Sequence, residues 1–513
     1  MSSKDVEMRA TKKVRLGMGF LLIETAVAIQ YSLIVTAAND LVAEKAPTGL
    51  VLFAYSIPSI LTRIIVPLVQ FPDTPTNSRF IGFFNRWSRV KVQDPNSLTR
   101  EVNYTFRLAV CALSSFIGLM LLAGFENIGI RVLGVMLAAL SSNLGDMSMQ
   151  MLCARYPHGH KYAFGGYTAG SGAAAMLGAW FYTFATSTLQ HTPGWAITAI
   201  GIIAPPSCLL CYAWVLPSPE VETLSATEKE KEGIVQLPWR DKLCIIKPMF
   251  VPYMLPLATI FFVENLVTQG IFPTLLFYLP LKEGSFYFSN VISWMGIFKE
   301  SREFYPFYLT VSQFAGFAGK FSFWLFRLPG GKRRSTKAYW LLNILEGVVF
   351  LLQAGNSLSM TSNVASSPEA PDKGVLYGPM GVIFLSGLQG LMAGIVFCNT
   401  YWKVMHHDLP PAVFEALDKA REKNGHLDRP YRDSLESREE GLGLLENPAE
   451  GGIEEYRRST SEDKALKEFL LSTIAPPDVM SVTIASVFGM ALQKGLCEYQ
   501  LAHGRDLCLK PAN

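Results

Sequence analysis

The sequence predicts an all-α, polytopic membrane protein with about eleven spanning helices, because apolar runs near 20 residues recur along it. Three observations carry this. The chain of 513 residues is 50% hydrophobic and only 17% charged, where soluble domains run near ~25% charged. Its mean hydropathy is positive, at +0.25. The charge it does carry is gathered into short blocks between the apolar runs. A net charge of +3 leaves no electrostatic footprint for nucleic acid.

The candidate spans, in order, are 16–38, 48–71, 104–124, 128–152, 163–186, 195–216, 249–280, 304–326, 338–354, 375–402 and 468–496. The first is too long for the apolar part of a signal peptide, and no small-residue cleavage site follows it, so it is expected to remain as a span. The seventh is over-long and interrupted by Pro252, Pro256 and Pro273, which predicts a broken or re-entrant piece. The stretch 281–303 is amphipathic and reads as an interfacial helix, with a span as the alternative.

Orientation follows from Lys and Arg in the connecting segments. The tail 1–15 carries Lys4, Arg9, Lys12, Lys13 and Arg15, and the second loop carries Arg79, Arg86, Arg89, Lys91 and Arg100. The fourth, sixth and eighth loops are basic as well, the last through Arg327, Lys332, Arg333, Arg334 and Lys337. The fifth loop has no basic residue and the ninth only Lys373. The alternation predicts a cytosolic N-terminus and, with eleven spans, a C-terminus on the far side.

The polar, Pro-containing segment 217–248 divides six spans (16–216) from the remainder (249–402 and 468–496). Two helical bundles joined by a cytosolic linker form a major-facilitator-like two-bundle architecture. The segment 403–467 is long, charged and poor in aromatics, and is expected to be a disordered cytosolic loop. Within it, EGLGLL fits an acidic-dileucine sorting signal through Glu440, Leu444 and Leu445, which sorting adaptors would read. Residues 497–513 form a C-terminal tail.

Ionisable side chains within spans are costly and point to cavities, partners or function. They include Glu24, Arg63, Asp146, Glu264, Lys320, Glu346 and Asp478, with the amides Gln269, Gln313 and Gln389. Asp146 sits among small and polar residues in SSNLGDMSMQM, either as a helix contact or as a proton or substrate group. Glu264 and Gln269 are rotated by roughly 140° on a regular helix, so a break near Gly270 or Pro273 is needed to align them. Asp478 follows Pro476-Pro477 and either caps a restarted helix or faces the cavity. Arg63 either snorkels to the cytosolic face or pairs with an internal carboxylate. Glu24 is close enough in sequence to the basic tail to pair with Arg15 or Lys13. Glu346 and Lys320 cannot be placed from sequence.

The run TAGSGAAAMLGA (168–179) repeats small residues four apart, as at Gly170, Ala174 and Gly178. That is a close-packing helix face, and a surface on which one bundle would slide over another. Of the eight cysteines, Cys208 and Cys211 form a C-x-x-C inside an apolar run without a second pair. No disulfide framework is indicated. His406-His407-Asp408 has a metal-ligand composition, but adjacent positions point apart. The chain has no Walker loop, no G-x-G-x-x-G, no H-E-x-x-H and no nucleophile elbow. Neither a cofactor nor a metal is expected, and the reading is not an enzyme.

Several segments resemble the battenin family of lysosomal and vacuolar membrane proteins. They are YSLIVTAANDLV (31–42), IPSILTRIIVPL (57–68) with Arg63 at the basic position, and LSSNLGDMSMQMLCARYP (140–157) with Asp146 at the acidic one. FFVENLVTQGIFPTLLF (261–277) is similar through Glu264 and Gln269. REFYPFYLTVSQFAG (302–316), GLMAGIVFCNTYW (390–402) and the final helix (467–492) with Asp478 follow in order. Departures fall at Val27-Ala28, at Ala54-Tyr55-Ser56 and at Gln389, where the family carries paired Asn, Ala-Asp and an acid. They mark a diverged member. The resemblance implies a vacuolar or lysosomal membrane, a major-facilitator-like fold, basic amino-acid transport and luminal pH balance.

The expectation is therefore a secondary transporter of a basic amino acid or related metabolite, coupled to protons. Asp146, Glu264 and Asp478 supply cavity charge, and Gln269 and Arg63 orient or balance it. The alternative is a non-transporting membrane scaffold that recruits trafficking partners through the long loop.

Overall fold

In hydrocarbon every backbone N–H and C=O needs an internal partner, so apolar runs of this length close their bonds as helices. The computed structural model describes residues 10–42, 49–68, 104–153, 156, 160–217, 239–277, 303–322, 334–359, 379–405, 411–423, 450–505 and 508. The amphipathic stretch over 281–302, the second loop, most of the linker, residues 327–333 of the eighth loop, His406-His407-Asp408 and the Glu440–Leu445 signal lie outside them.

The helices are α1 (Ala10–Thr36), α2 (Gly49–Leu68), α3 (Tyr104–Gly124), α4 (Ile128–Cys153), α5 (His160–Thr183) and α6 (Pro193–Leu210). After the linker come α7 (Trp239–Ile246), α8 (Leu255–Leu266), α9 (Phe304–Phe321), α10 (Arg334–Ser359), α11 (Pro379–Met405), α12 (Pro411–Lys423) and α13 (Glu450–Ala502). Among the described residues each predicted span coincides with a helix over most of its length, and eight helical segments are long and apolar enough to cross a bilayer alone. Outside these eight stand α2, which is apolar but shorter over Gly49–Arg63, and α5 and α9. They are also helices that pack between bundles, where protein replaces lipid.

Helices α1 to α6 pack on one another, as do α8 to α11 with α13. The two bundles meet where α5 lies against α9 and α2 against α13. Apolar side chains close the interface at two levels. Phe164 of α5 meets Trp402 of α11 at 5.8 Å between ring centroids. Elsewhere Val35 and Leu52 join Phe272, Leu275, Phe304 and Tyr308 in one buried cluster.

Several expectations need correction. The proline-rich seventh span does not break. It winds through a tight turn (Lys247–Met249), a wide one (Phe250–Met254), α8, a second wide turn (Val267–Ile271) and a last tight turn (Phe272–Thr274). Each proline removes a donor, and the winding changes locally to compensate. The helix α13 likewise continues through Pro476-Pro477 and runs for 53 residues, so Asp478 caps nothing.

The loop expected to be disordered holds α12 and the first turns of α13. Val413, Leu417 and Ala420 repeat at helical spacing and are buried in the same cluster as Ile245 and Met249. Lys423 Nζ reaches Asp241 of α7 at 3.0 Å. Average composition hid this short amphipathic repeat. Leu417→Ala should cost about 2–5 kcal/mol locally. Hydrogen–deuterium exchange would read it as faster exchange over 411–423 with α9 unchanged.

Cys497 and Cys508 form a disulfide, against expectation. The tail beyond α13 folds back, and Arg505 donates to the Leu276 carbonyl. Gln500 Nε2 donates to the Ser357 carbonyl at 2.9 Å. That return of the chain is not visible in cysteine spacing.

The small-residue stripe of α5 does pack closely, but against α1 of its own bundle. A Cβ on Gly170 or Gly178 would meet the Leu21 or Ile29 carbonyl at 2.6 or 2.8 Å. The opposite side of α5 faces the other bundle, where Gly172 lies under Phe317 and the Lys320 stem.

Candidate functional site

Four helices bring one polar cluster together at the bundle interface. On α4, Asn143, Asp146 and Gln150 are spaced three and four apart and so share a face. Arg63 of α2 lies against that face. Its Nη2 donates to Asp146 Oδ2 at 2.9 Å and its Nε to Asn143 Oδ1 at 2.9 Å. Its Nη1 reaches across to Asp478 of α13, at 2.9 Å to Oδ1 and 3.2 Å to Oδ2. Asp146 Oδ1 also accepts from the Tyr167 hydroxyl of α5 at 2.7 Å. The same hydroxyl accepts from Gln150 Nε2 at 2.6 Å. Asn143 is held in turn by Ser59 of α2, at 2.6 Å.

This settles the choice left open for Arg63. It does not snorkel. Its planar fork serves one carboxylate from each bundle, a geometry a lysine cannot copy. The side chains of Arg63 and Asp478 are each 11% exposed and that of Asp146 14%. The pairing is therefore largely desolvated.

Lys320 of α9 forms a second bridge between bundles. Its Nζ donates to Ser171 Oγ of α5 at 2.8 Å and stands 4.7 Å from the Phe397 ring centroid. The fields of Glu264, Asp146 and Glu24 all reach it. Glu24 is fully buried beside Asp146, within reach of Lys320 and Arg63. It does not pair with Arg15, whose guanidinium instead donates to the Val215 and Trp214 carbonyls at 2.8 and 2.6 Å.

Of the residues predicted for the site, the structure joins Arg63, Asp146 and Asp478 directly. Glu264 sits half-buried on α8 and is linked through the field of Lys320. Gln269 lies apart. It is buried in the wide turn after α8, where Gly489 of α13 packs on its Cβ and the Tyr305 hydroxyl neighbours its amide. Sequence reasoning missed Asn143, Gln150 and Tyr167. The spacing of the first two from Asp146 was a usable signal; nothing marked Tyr167, one residue before the run read as packing.

Chemically, the cluster brings two cations, Arg63 and Lys320, within reach of four carboxylates, Glu24, Asp146, Glu264 and Asp478. Such an excess is neutralised by protons or by a cationic ligand. Among the described residues no group of three or more His, Cys, Asp and Glu has metal-binding geometry.

The family model described as CLN3 protein matches residues 89–237 and 222–499. The chain belongs to the CLN3 (battenin) family. The match takes in Asp146, Glu264, Gln269 and Asp478, while Arg63 precedes it. CLN3-family relatives align over nearly the whole chain. Protein BTN1 of Mycosarcoma maydis is 25% identical over 96% of this chain and 88% of its own length. Protein btn1 of Schizosaccharomyces pombe is 22% identical over 98% and 99%. Among solved structures, the chain is similar to a bacterial homologue of the human lysosomal transporter Spinster in an inward-facing, unoccupied state. There the TM-score is 0.42 and the identity 12%, over 96% of this chain and 99% of that one. That likeness is too distant to assign anything to this CLN3-family chain.

Proposed function

We propose that this protein is a secondary transporter of the vacuolar or lysosomal membrane. It carries a basic amino acid or a related cationic metabolite, works with protons and thereby contributes to luminal pH balance. The observation that carries the reading is Arg63, bonded to Asp146 of one bundle and Asp478 of the other. Alternating access needs a bond between bundles that can be exchanged for a bond to ligand. A cationic substrate that competes with Arg63 for these carboxylates makes that exchange, and the carboxylate excess accommodates its charge.

The N-terminus is cytosolic in this proposal and the end of α13 luminal. The loop charges support it, and so does the Cys497–Cys508 bond, since disulfides persist in oxidising compartments. The long segment before α13 is then cytosolic, where adaptors can read Glu440, Leu444 and Leu445.

The test is uptake of labelled arginine and lysine by vacuolar vesicles with and without the protein, under imposed pH gradients. Uptake that needs both the protein and the gradient supports the reading; equal uptake with and without the protein removes it. Glu264→Gln should abolish the dependence on the gradient while protein level and location stay normal. Unchanged flux in that variant would remove Glu264 from the pathway.

A further inference from the structure

A second polar file lies inside the C-terminal bundle, apart from the Arg63 cluster. Glu346, Gln353 and Ser357 follow at i, i+7 and i+11 on α10, and therefore share one helix face. All three are fully buried. That face is turned to protein instead of lipid, since α10 packs on α8, on α11, on the turn Val267–Ile271 and on α13.

The file has a beginning and an end. At one end Gln389 of α11 is fully buried, and its Nε2 donates to the Glu264 carbonyl at 3.0 Å. At the other, Ser357 Oγ meets Thr274 Oγ1 at 2.6 Å, and Gln500 donates to the Ser357 carbonyl at 2.9 Å. That end lies beside the folded-back tail. Between them, among the described residues, both oxygens of Glu346, both polar atoms of Gln353 and Oε1 of Gln389 have no hydrogen-bond partner. Burying five polar atoms unmatched is heavily penalised, and an ionised carboxylate among them more so. An intramembrane acid held this way is a functional group by default.

The charged group that acts on Glu346 is Glu264, across the contact of α8 with α10. Gln389 of α11 is bonded to the Glu264 carbonyl and Gln269 lies in the turn after α8; both are neutral. Lys494 and Glu498 of α13 have side chains 79% and 65% exposed and pair with each other. No described cation is placed to balance Glu346. The cation that acts on Glu264 is Lys320 of α9, so of the two carboxyls it is Glu346 on which no described cation acts.

We propose that Glu346 is a proton-binding site that exchanges its proton with Glu264 along this file. The inference rests on the reading that the protein moves protons. In the exchange, the O–H bond of one carboxyl breaks as one forms on the other, and the pair's charge is conserved. Gln353, Ser357 and Thr274 line the way to the end of the bundle. Gln389, hydrogen-bonded to the backbone at Glu264, is a positioning residue.

The test is an infrared titration of the purified full-length protein in nanodiscs, reading protonated-carboxyl C=O bands as pH is stepped. This readout does not depend on which solute is carried. Glu346→Gln should remove one such band at neutral pH, and Glu346→Gln with Gln389→Glu should restore one, because position 389 lies in the same file. The same bands in Glu346→Gln as in the parent would overturn the proposal. So would a Glu346 band that disappears when sodium replaces choline, which would mark a metal-cation site. If Glu346→Gln does not fold, Glu346→Asp should shift the band, and an unmoved band overturns the assignment. Lost arginine uptake with these results intact would fault the substrate reading alone.

Discussion

Arg63→Ala should destabilise the protein by about 3–5 kcal/mol, the cost of stripping the partner from a buried ion pair. The guanidinium bonds Asp146 and Asp478 at 2.9 Å each, so its removal leaves two carboxylates from opposite bundles facing one another. Asn143 loses its donor as well, since Arg63 Nε is the group on its Oδ1. Part of the cost is relieved if the acids take up protons, so the loss should be smaller in acid than at neutral pH. The sign follows from the ligand: protons replace the missing positive charge.

Arg63→Lys should recover only part of the loss. A single ammonium on a flexible stem does not serve Asp146, Asp478 and Asn143 together. Arg63→Met with Asp146→Asn and Asp478→Asn should regain stability, since no buried charge is then left unpaired. It should not regain uptake. Thermal unfolding in detergent at two pH values, together with vesicle uptake, reads all three variants. An unfolding temperature unmoved in Arg63→Ala would show that the bond does not hold the bundles together.

Gly390→Val should prevent assembly of the C-terminal bundle. Helices α9 and α11 cross with their backbones in contact, and a Cβ on Gly390 would overlap the Ser312 carbonyl. Gly394 sits in the same way on Gly316, and a Cβ on Gly319 would lie 2.5 Å from the Leu391 carbonyl. The obstacle in each case is main chain, which cannot rotate away as a side-chain tip can. Overpacking of a tight core costs about 1–3 kcal/mol where side chains yield, and more where they cannot. Because α9 also carries Lys320 and packs on α5, a shift there moves the bundle interface. Loss of the monodisperse species in size-exclusion chromatography would be the result. Gly347→Val on α10 is the control, since a Cβ there meets nothing within 4 Å. Normal recovery of Gly390→Val would show that the two helices do not approach as closely as described.

Much of the fold was legible residue by residue. Apolar runs marked the long helices, since a run of bilayer length satisfies its backbone as a helix. The small residues of 168–179 marked a close helix crossing. Sequence could not choose which neighbour they face, and they face α1 within the bundle. The long loop shows the limit of composition. Its charge content predicted disorder, yet Val413, Leu417 and Ala420 repeat at the spacing that docks α12.

The site divides in the same way. Arg63, Asp146, Glu264 and Asp478 stood out in the sequence because charge within an apolar run is conspicuous and costly. Their partners did not. Arg63 and Asp478 are 415 positions apart, and no local pattern relates them. Lys320 and Glu346 were visible as charges but had no place until α9 met α5 and α10 turned its face inward. Hydropathy and helical periodicity are properties of neighbouring residues, so the sequence by itself determined an all-α membrane chain, its helices and its intramembrane charges. Which charge meets which is set by the rotation and packing of whole helices. Only the tertiary structure decided that Arg63 bridges the bundles, that Gln269 stands apart and that Glu346 faces a buried file.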